Sequence, residues 1–265
     1  MEELSPLVTA QLCRGVRTNN AMTTEDYRRE IGAGTLYVHL LEAGLLLLRR
    51  RPGHWRMSYY LGPGAAPFSL PAEGVVAVEL PFRPKDAPME GELLSLFQAS
   101  GFRERMRRVR LERPAGPVPA VENGFAFRPA RKEDLSAALD LLISSFDPVT
   151  GCLPTGEELE LDIAAGNLLC AFEEDGRLAG LLHSSRAKAS AEVRHLAVRS
   201  GLRGRRCGQG LLAHWLVQAD CKARVWTGAD NEAALRTYGR GGFAPDGWYS
   251  VVMACELGIR NDGVR

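Results

Sequence analysis

The stretch with the clearest chemistry is Arg203-Gly204-Arg205-Arg206-Cys207-Gly208-Gln209-Gly210-Leu211-Leu212. It follows His195-Leu196-Ala197-Val198, which reads as a strand, and leads into an apolar run to Val217 that reads as a buried helix. The first amides of a helix have no partner within it, and the macrodipole adds positive charge at the same place. Arg203, Arg205 and Arg206 supply fixed charge beside them. Gly208 and Gly210 carry no Cβ, so a phosphate is expected to approach that backbone closely. Cys207 lies inside this electropositive turn, where a thiol is expected to become more acidic.

A second segment lies downstream: Asn231-Glu232-Ala233-Ala234-Leu235-Arg236-Thr237-Tyr238-Gly239-Arg240-Gly241-Gly242-Phe243. Asn231 and Tyr238 are two helical turns apart and share a face. Asn231 also suits a helix N-cap. On the strand before the loop, Glu192 and His195 are candidate bases. An odd separation in a regular strand places them on opposite faces.

Three phosphate-binding patterns compete for the loop. A Walker loop needs Lys-Ser or Lys-Thr after its glycines, and neither is present. Gly208-Gln209-Gly210-Leu211-Leu212-Ala213 fits a dinucleotide fingerprint, with Asp230 as the ribose acid, but nine residues separate Val198 from Gly208, too many for that tight turn. The third pattern, R-x-x-G-x-G, is met by Arg205, Gly208 and Gly210. With the strand ahead of it and the N-x-x-A-x-x-x-Y-x-x-x-G-F segment behind, the region from about Gly124 to Leu257 resembles the GNAT N-acetyltransferase superfamily. The resemblance implies acetyl-CoA as acyl donor. Backbone at Leu196, Ala197 and Val198 would pair with the pantetheine arm. Amides from Arg205 through Arg206, Cys207, Gly208, Gln209 and Gly210 to Leu211 would hold the pyrophosphate, with Arg203 nearby, and Asn231 would touch the cofactor arm. Tyr238 would protonate the leaving thiolate, and an acid near Glu192 would serve as base. Direct attack by a neutral amine also needs an oxyanion donor, which the resemblance assigns to a strand amide such as that of Val198. The acceptor region would be Phe146 to Pro154 and Asp246 to Tyr249, where Asp147, Asp246, Trp248 and Tyr249 are available to a cationic amine.

Positioning these groups requires a scaffold. Helices are expected near Glu2–Arg14 and from Thr23, then strands Thr35–Glu42, Leu45–Arg50, Trp55–Leu61 and Val75–Leu80, helix Gly91–Ala99 and strand Met106–Glu112. Pro114-Ala115-Gly116-Pro117-Val118-Pro119 breaks the pattern and reads as a linker. The second half repeats the first. A shift of 132 places Thr23, Glu25, Ile31, Gly34, Leu36, Glu42, Gly44 and Leu46 on identical residues from Thr155 to Leu178. A shift of 141 places Gly101-Phe102 on Gly242-Phe243, Phe97 on Tyr238 and Glu90 on Asn231. The expected class is α/β with a mixed α+β sheet: two tandem GNAT-like domains, 1–113 without a cofactor loop, a linker at 114–123, and 124–265 carrying the chemistry. A dinucleotide fold would instead alternate strand and helix from its start.

The chain has 265 residues and a net charge of +1, which argues against nucleic acid as a bulk electrostatic partner. Its six cysteines form no C-x-x-C and no zinc-spaced cluster. No apolar run is long enough to span a bilayer, and a reduced cytoplasmic protein is expected. The expected activity is acetyl transfer to a primary amine of a small molecule or peptide, with no metal. The alternatives are a non-catalytic acyl-CoA sensor and a nucleotide-binding oxidoreductase.

Overall fold

The computed structural model describes residues 15–83, 85, 87–187 and 189–258. The helix expected at Glu2–Arg14 lies outside them. The chain forms two compact units, Met1–Arg107 with Ser250–Arg265, and Arg108–Tyr249.

The first unit contains β1 (Arg17–Thr18), α1 (Thr24–Gly32), β2 (Leu36–Leu41), β3 (Gly44–Arg51), β4 (His54–Leu61), β5 (Gly74–Phe82) and α2 (Ala87–Ala99). β2, β3 and β4 form an antiparallel meander, and β5 joins β4 in parallel over Trp55–Met57. Thr23 and Asp26 make a capping box that starts α1. The Leu45–Leu48 run is fully buried in β3, as its unbroken apolar character requires.

The second unit contains β7 (Ala126–Pro129), α3 (Leu135–Ser145), α4 (Gly156–Ala164), β8 (Leu168–Phe172), β9 (Leu178–Ala187), β10 (Ser190–Val198), α5 (Cys207–Ala219), β11 (Lys222–Gly228) and α6 (Glu232–Arg240). β7, β8, β9 and β10 are antiparallel neighbours; β10 and β11 are parallel. One face of this sheet packs α5 and α6 through Leu211, Leu212, Trp215 and Tyr238. The other packs α3 and α4 through Leu141, Leu142 and Leu159.

Two long strands, β6 (Arg103–Arg113) and β12 (Ala244–Leu257), have one end in each unit. Arg108–Arg113 of β6 pair antiparallel with β11, in the unit that carries the loop. The compact units therefore do not divide at 114–123. Nor do these residues behave as a free linker. Buried Arg113 donates to the carbonyls of Pro114, Gly116 and Pro117 at 3.0, 2.9 and 2.6 Å. Val118 packs on the α5 core. Proline and glycine mark where regular structure stops, but not which neighbour a strand pairs with.

Local geometry recurs at the two sequence shifts. Thr155 and Glu158 repeat the capping box 132 residues on. Gly34 and Gly166 end their helices at φ 65° and 73°. Phe97–Phe102 and Tyr238–Phe243 are edge-on ring pairs at 5.4 and 5.7 Å.

Candidate active site

The site begins where two parallel strands part. β10 and β11 pair from Ser190–Lys222 to Val193–Val225 and no further. β10 then continues to Val198 with only its β9 edge paired, and β11 continues to Gly228 with its other edge on β6. A fork opens between them, and Leu196, Ala197 and Val198 lie along one arm.

A β-bulge causes the divergence. The β9–β10 register shifts between Val193 and His195, leaving Arg194 as the extra residue. Ala191 and Val193 face the α5 core before the bulge; after it Leu196 and Val198 do, and Ala197 faces α3 and α4. The bulge thus corrects the opposite-face expectation: Glu192 and His195 stand on the same face of the sheet. Glu192 is half-buried.

The loop closes the fork at one end. After a short 3-10 turn at Ser200–Leu202, Arg206 adopts left-handed φ 61° and α5 starts at Cys207 with no side-chain cap. The N–H groups of Cys207, Gly208 and Gln209 are thereby left without intrahelical partners. Arg203, Arg205 and Arg206 are exposed around them. Arg205 reaches Glu173 at 3.9 Å and lies over the Phe125 ring. The two glycines differ. A Cβ on Gly208 would lie 3.5 Å from Val198 Cγ2 and 3.9 Å from Leu196 Cδ2, an ordinary fit at the fork. A Cβ on Gly210 would lie 2.4 Å from Asn123 Nδ2 and 2.6 Å from Phe127 Cζ. Gly210 makes room for the fold itself, its amide donates to the Arg206 carbonyl at 2.9 Å, and Leu211 is fully buried. Cys207 is also buried, and burial pushes its thiol up to about 11, against the expected acidification. The helix terminus acts on the backbone side of the turn, while the sulfur points into the core.

Asn231 is the N-cap of α6, its side chain accepting from the Ala234 amide at 3.0 Å. Seven residues on, Tyr238 is buried in the cluster that includes Leu196 and Val198. Burial alone pushes its phenol well above the ordinary range, so it stays protonated.

On the opposite face, His195 is 3 % exposed and His183 is fully buried, with their Nδ1 atoms 3.1 Å apart. His183 Nε2 lies 2.8 Å from Asp162 Oδ2, and His195 Nε2 lies 2.9 Å from the Gly151 carbonyl. Only His195 stands out in the sequence; the pairing of two antiparallel strands brings in His183. The acids expected to attract an amine are engaged locally. Asp147 accepts from Val149 N, Thr150 N and Thr150 Oγ1 within its own turn. Asp246 pairs with Arg110 at 2.7 Å, and the guanidinium lies over Trp248.

Residues 137–243 match the model of the acetyltransferase (GNAT) family. The matched segment spans the bulge, the fork, the loop and α6. No curated protein matches the sequence. Among solved structures, a GCN5-related N-acetyltransferase from Sphaerobacter thermophilus is similar at TM-score 0.60 and 19 % identity, over 90 % of this chain and 88 % of that one. A GCN5-related N-acetyltransferase from Kribbella flavida gives 0.56 and 16 %, over 89 % and 95 %. A tandem GNAT protein from the clavulanic acid biosynthesis pathway gives 0.53 and 15 %, over 82 % and 79 %. The mixed α/β architecture is therefore that of GNAT structures.

Proposed function

We propose that the second unit binds acetyl-CoA in the fork and transfers its acetyl group to a primary amine of a small molecule or peptide. The observation that carries this reading is the open edge of β10 leading directly to the uncapped start of α5, inside the segment that matches the GNAT family. The pantetheine arm would pair with the backbone of Leu196, Ala197 and Val198. The diphosphate would sit on the amides of Cys207, Gly208 and Gln209, with Arg203, Arg205 and Arg206 around it. Asn231 would flank the arm while keeping its cap.

The amine must lose a proton, and Glu192 is the acid on the strand that leads into the fork. The Val198 amide would donate to the developing oxyanion. Tyr238, held protonated by burial, would donate to the departing sulfur. A coenzyme A thiol titrates near 8.5 in water, so the phenol stabilises the thiolate as a donor, and complete transfer waits for the sulfur itself to be desolvated.

The first unit would keep this fold without a cofactor. Where the second unit is open, its strands are occupied. Trp55–Met57 pair with β5, and Arg17–Thr18 pair with Tyr60–Leu61. Between them Asn19 donates to the carbonyls of Met57 and Glu79 and accepts from the Tyr59 amide.

A non-catalytic acyl-CoA sensor draws support from the engaged state of Asp147 and Asp246, which leaves the acceptor side without a free acid from that pair. Calorimetry with acetyl-CoA followed by a panel of amines separates the readings. Binding with turnover supports transfer, binding without turnover supports the sensor, and no binding refutes both. The five cysteines among the described residues are all free, which fits a cytoplasmic setting.

A further inference from the structure

The paired histidines are the least expected feature of this core, because burying two ionisable rings costs stability unless every polar atom is engaged. Their proton count follows from their partners. A carboxylate and a carbonyl only accept, so both Nε2 atoms carry protons toward Asp162 and Gly151. The two Nδ1 atoms, 3.1 Å apart, need one proton between them. With none, two lone pairs face each other; with two, two N–H groups collide. The rings thus hold three protons and one positive charge beside the Asp162 carboxylate.

The first unit makes the same arrangement with a permanent cation. At 132 residues' distance, Glu30, Thr35 and Arg51 correspond to Asp162, Asn167 and His183. Arg51 donates to Glu30 at 2.9 Å and Thr35 donates to it at 2.7 Å. Asn167 donates to Asp162 at 3.0 Å. A titratable ring stands in the second unit where the first has a guanidinium.

We propose, on the acetyl-transfer reading above, that Asp162, His183 and His195 are positioning residues whose shared-proton array pins the Gly151 carbonyl and with it the loop 147–152 at the mouth of the fork. His195 lies on β10 just beyond the last β10–β11 pair, so whatever its ring holds borders the opening. The loop has little freedom otherwise. A Cβ on Gly151 would lie 2.5 Å from the Asp147 carbonyl, Cys152 adopts φ 55°, and Arg108 donates to the Thr150 carbonyl. The acceptor amine meets a wall of fixed shape as long as the array holds three protons.

The groups facing the array set its pH range. Asp162 from α4 is hydrogen-bonded to the His183 ring, with Arg194 of the bulge 3.7 Å from the same carboxylate. Burial holds His195 down to about 3, reinforced by His183, Arg194 and Arg108, so a fourth proton is refused in the ordinary range. Glu192 shares this face, and Cys152 lies 3.9 Å from Arg108. The geometry requires the shared proton, because without it two Nδ1 lone pairs stand 3.1 Å apart.

The test uses the full chain with 15N-labelled histidine. We expect a through-hydrogen-bond 15N–15N coupling between the two Nδ1 atoms at neutral pH, lost on alkalinisation. Asp162→Asn should move that loss down by at least about one pH unit. The alkaline limb of kcat/KM for the amine should move with it, while acetyl-CoA affinity stays within about twofold. His183→Arg, copying Arg51, should retain activity better than His183→Gln and remove the limb. Two rings titrating independently without coupling would overturn the array. An unmoved profile in folded Asp162→Asn, judged by its amide spectrum, would overturn the positioning role. If the unaltered protein binds no acetyl-CoA while the coupling is present, the transfer reading fails and the array stands.

Discussion

At the residue scale, the two glycines of the loop have separate jobs and separate failures. Gly208→Val should weaken acetyl-CoA binding at least about tenfold with Tm nearly unchanged, because a Cβ there meets only the edge of the fork, at ordinary distances. Gly210→Ala should instead destabilise the protein by about 1–3 kcal/mol through overpacking against Asn123 and Phe127. Calorimetry and denaturant titration of both variants check the contrast, and equal effects would remove the assignment. Tyr238→Phe should lower kcat by about tenfold or more with cofactor affinity kept. Steady-state kinetics read this directly, and an unchanged kcat would take Tyr238 out of the mechanism. Stability should also fall in acid through the α4 face. Burial raises the Asp162 carboxyl, but hydrogen bonds from His183 and Asn167 outweigh this and hold it below the ordinary range. Its contribution is lost as pH falls through that lowered value. His195 falls from an ordinary 6.5 to about 3, so between these values the unfolded chain binds a proton that the folded one refuses. The His195 effect makes urea stability decline from about pH 6.5 downward, the Asp162 effect joins it only in more acid solution, and His195→Phe should flatten the upper part of that decline if the variant folds.

At the scale of elements, the bulge at Arg194 and the fork are one feature. A bulge twists its strand and re-aims the residues after it. Here it swings β10 away from β11 and turns the Leu196–Val198 arm over relative to Ala191–Val193. The first unit shows the opposite outcome, with a single carboxamide bridging the strands. Asn19→Ala would remove three hydrogen bonds and leave strand groups of Met57, Tyr59 and Glu79 without that partner. A loss of about 2 kcal/mol is expected, with acetyl-CoA affinity unaffected. Chemical denaturation followed by calorimetry checks both halves, and weakened acetyl-CoA binding in that variant would contradict a cofactor site confined to the second unit.

At the scale of the molecule, the described residues form two units with recurring caps and ring pairs and, among them, one fork of the open kind. Titration with acetyl-CoA should give one site per chain. Two equivalent sites would refute the reading of the first unit as closed. The division of the chain also bears on how it can be cut. Because β6 and β12 each have an end in both units, a fragment starting at 124 lacks the Arg108–Arg113 strand that pairs with β11. Such a fragment should be markedly less stable than the full chain by thermal unfolding, and equal stability would show that strand to be dispensable.

Much of the scaffold was legible in the residues themselves. Capping residues, left-handed glycines and apolar periods act over a few neighbours, so the chain carries α1, α4, the hairpins and the end of α6 in its local chemistry, and the same holds for the loop between Val198 and α5. What the tertiary structure alone decided depends on partners far along the chain. Register brought His183 against His195, a single extra residue at Arg194 reversed the face that Glu192 shares, and packing turned Cys207 and Gly210 inward although they lie in the basic turn. The pairing of Arg108–Arg113 with β11 overrode the proline-rich stretch as a boundary. In each case the deciding contact comes from a partner distant in the sequence, a paired strand or a packed side chain, and only the closed set of hydrogen bonds and buried volumes selects it.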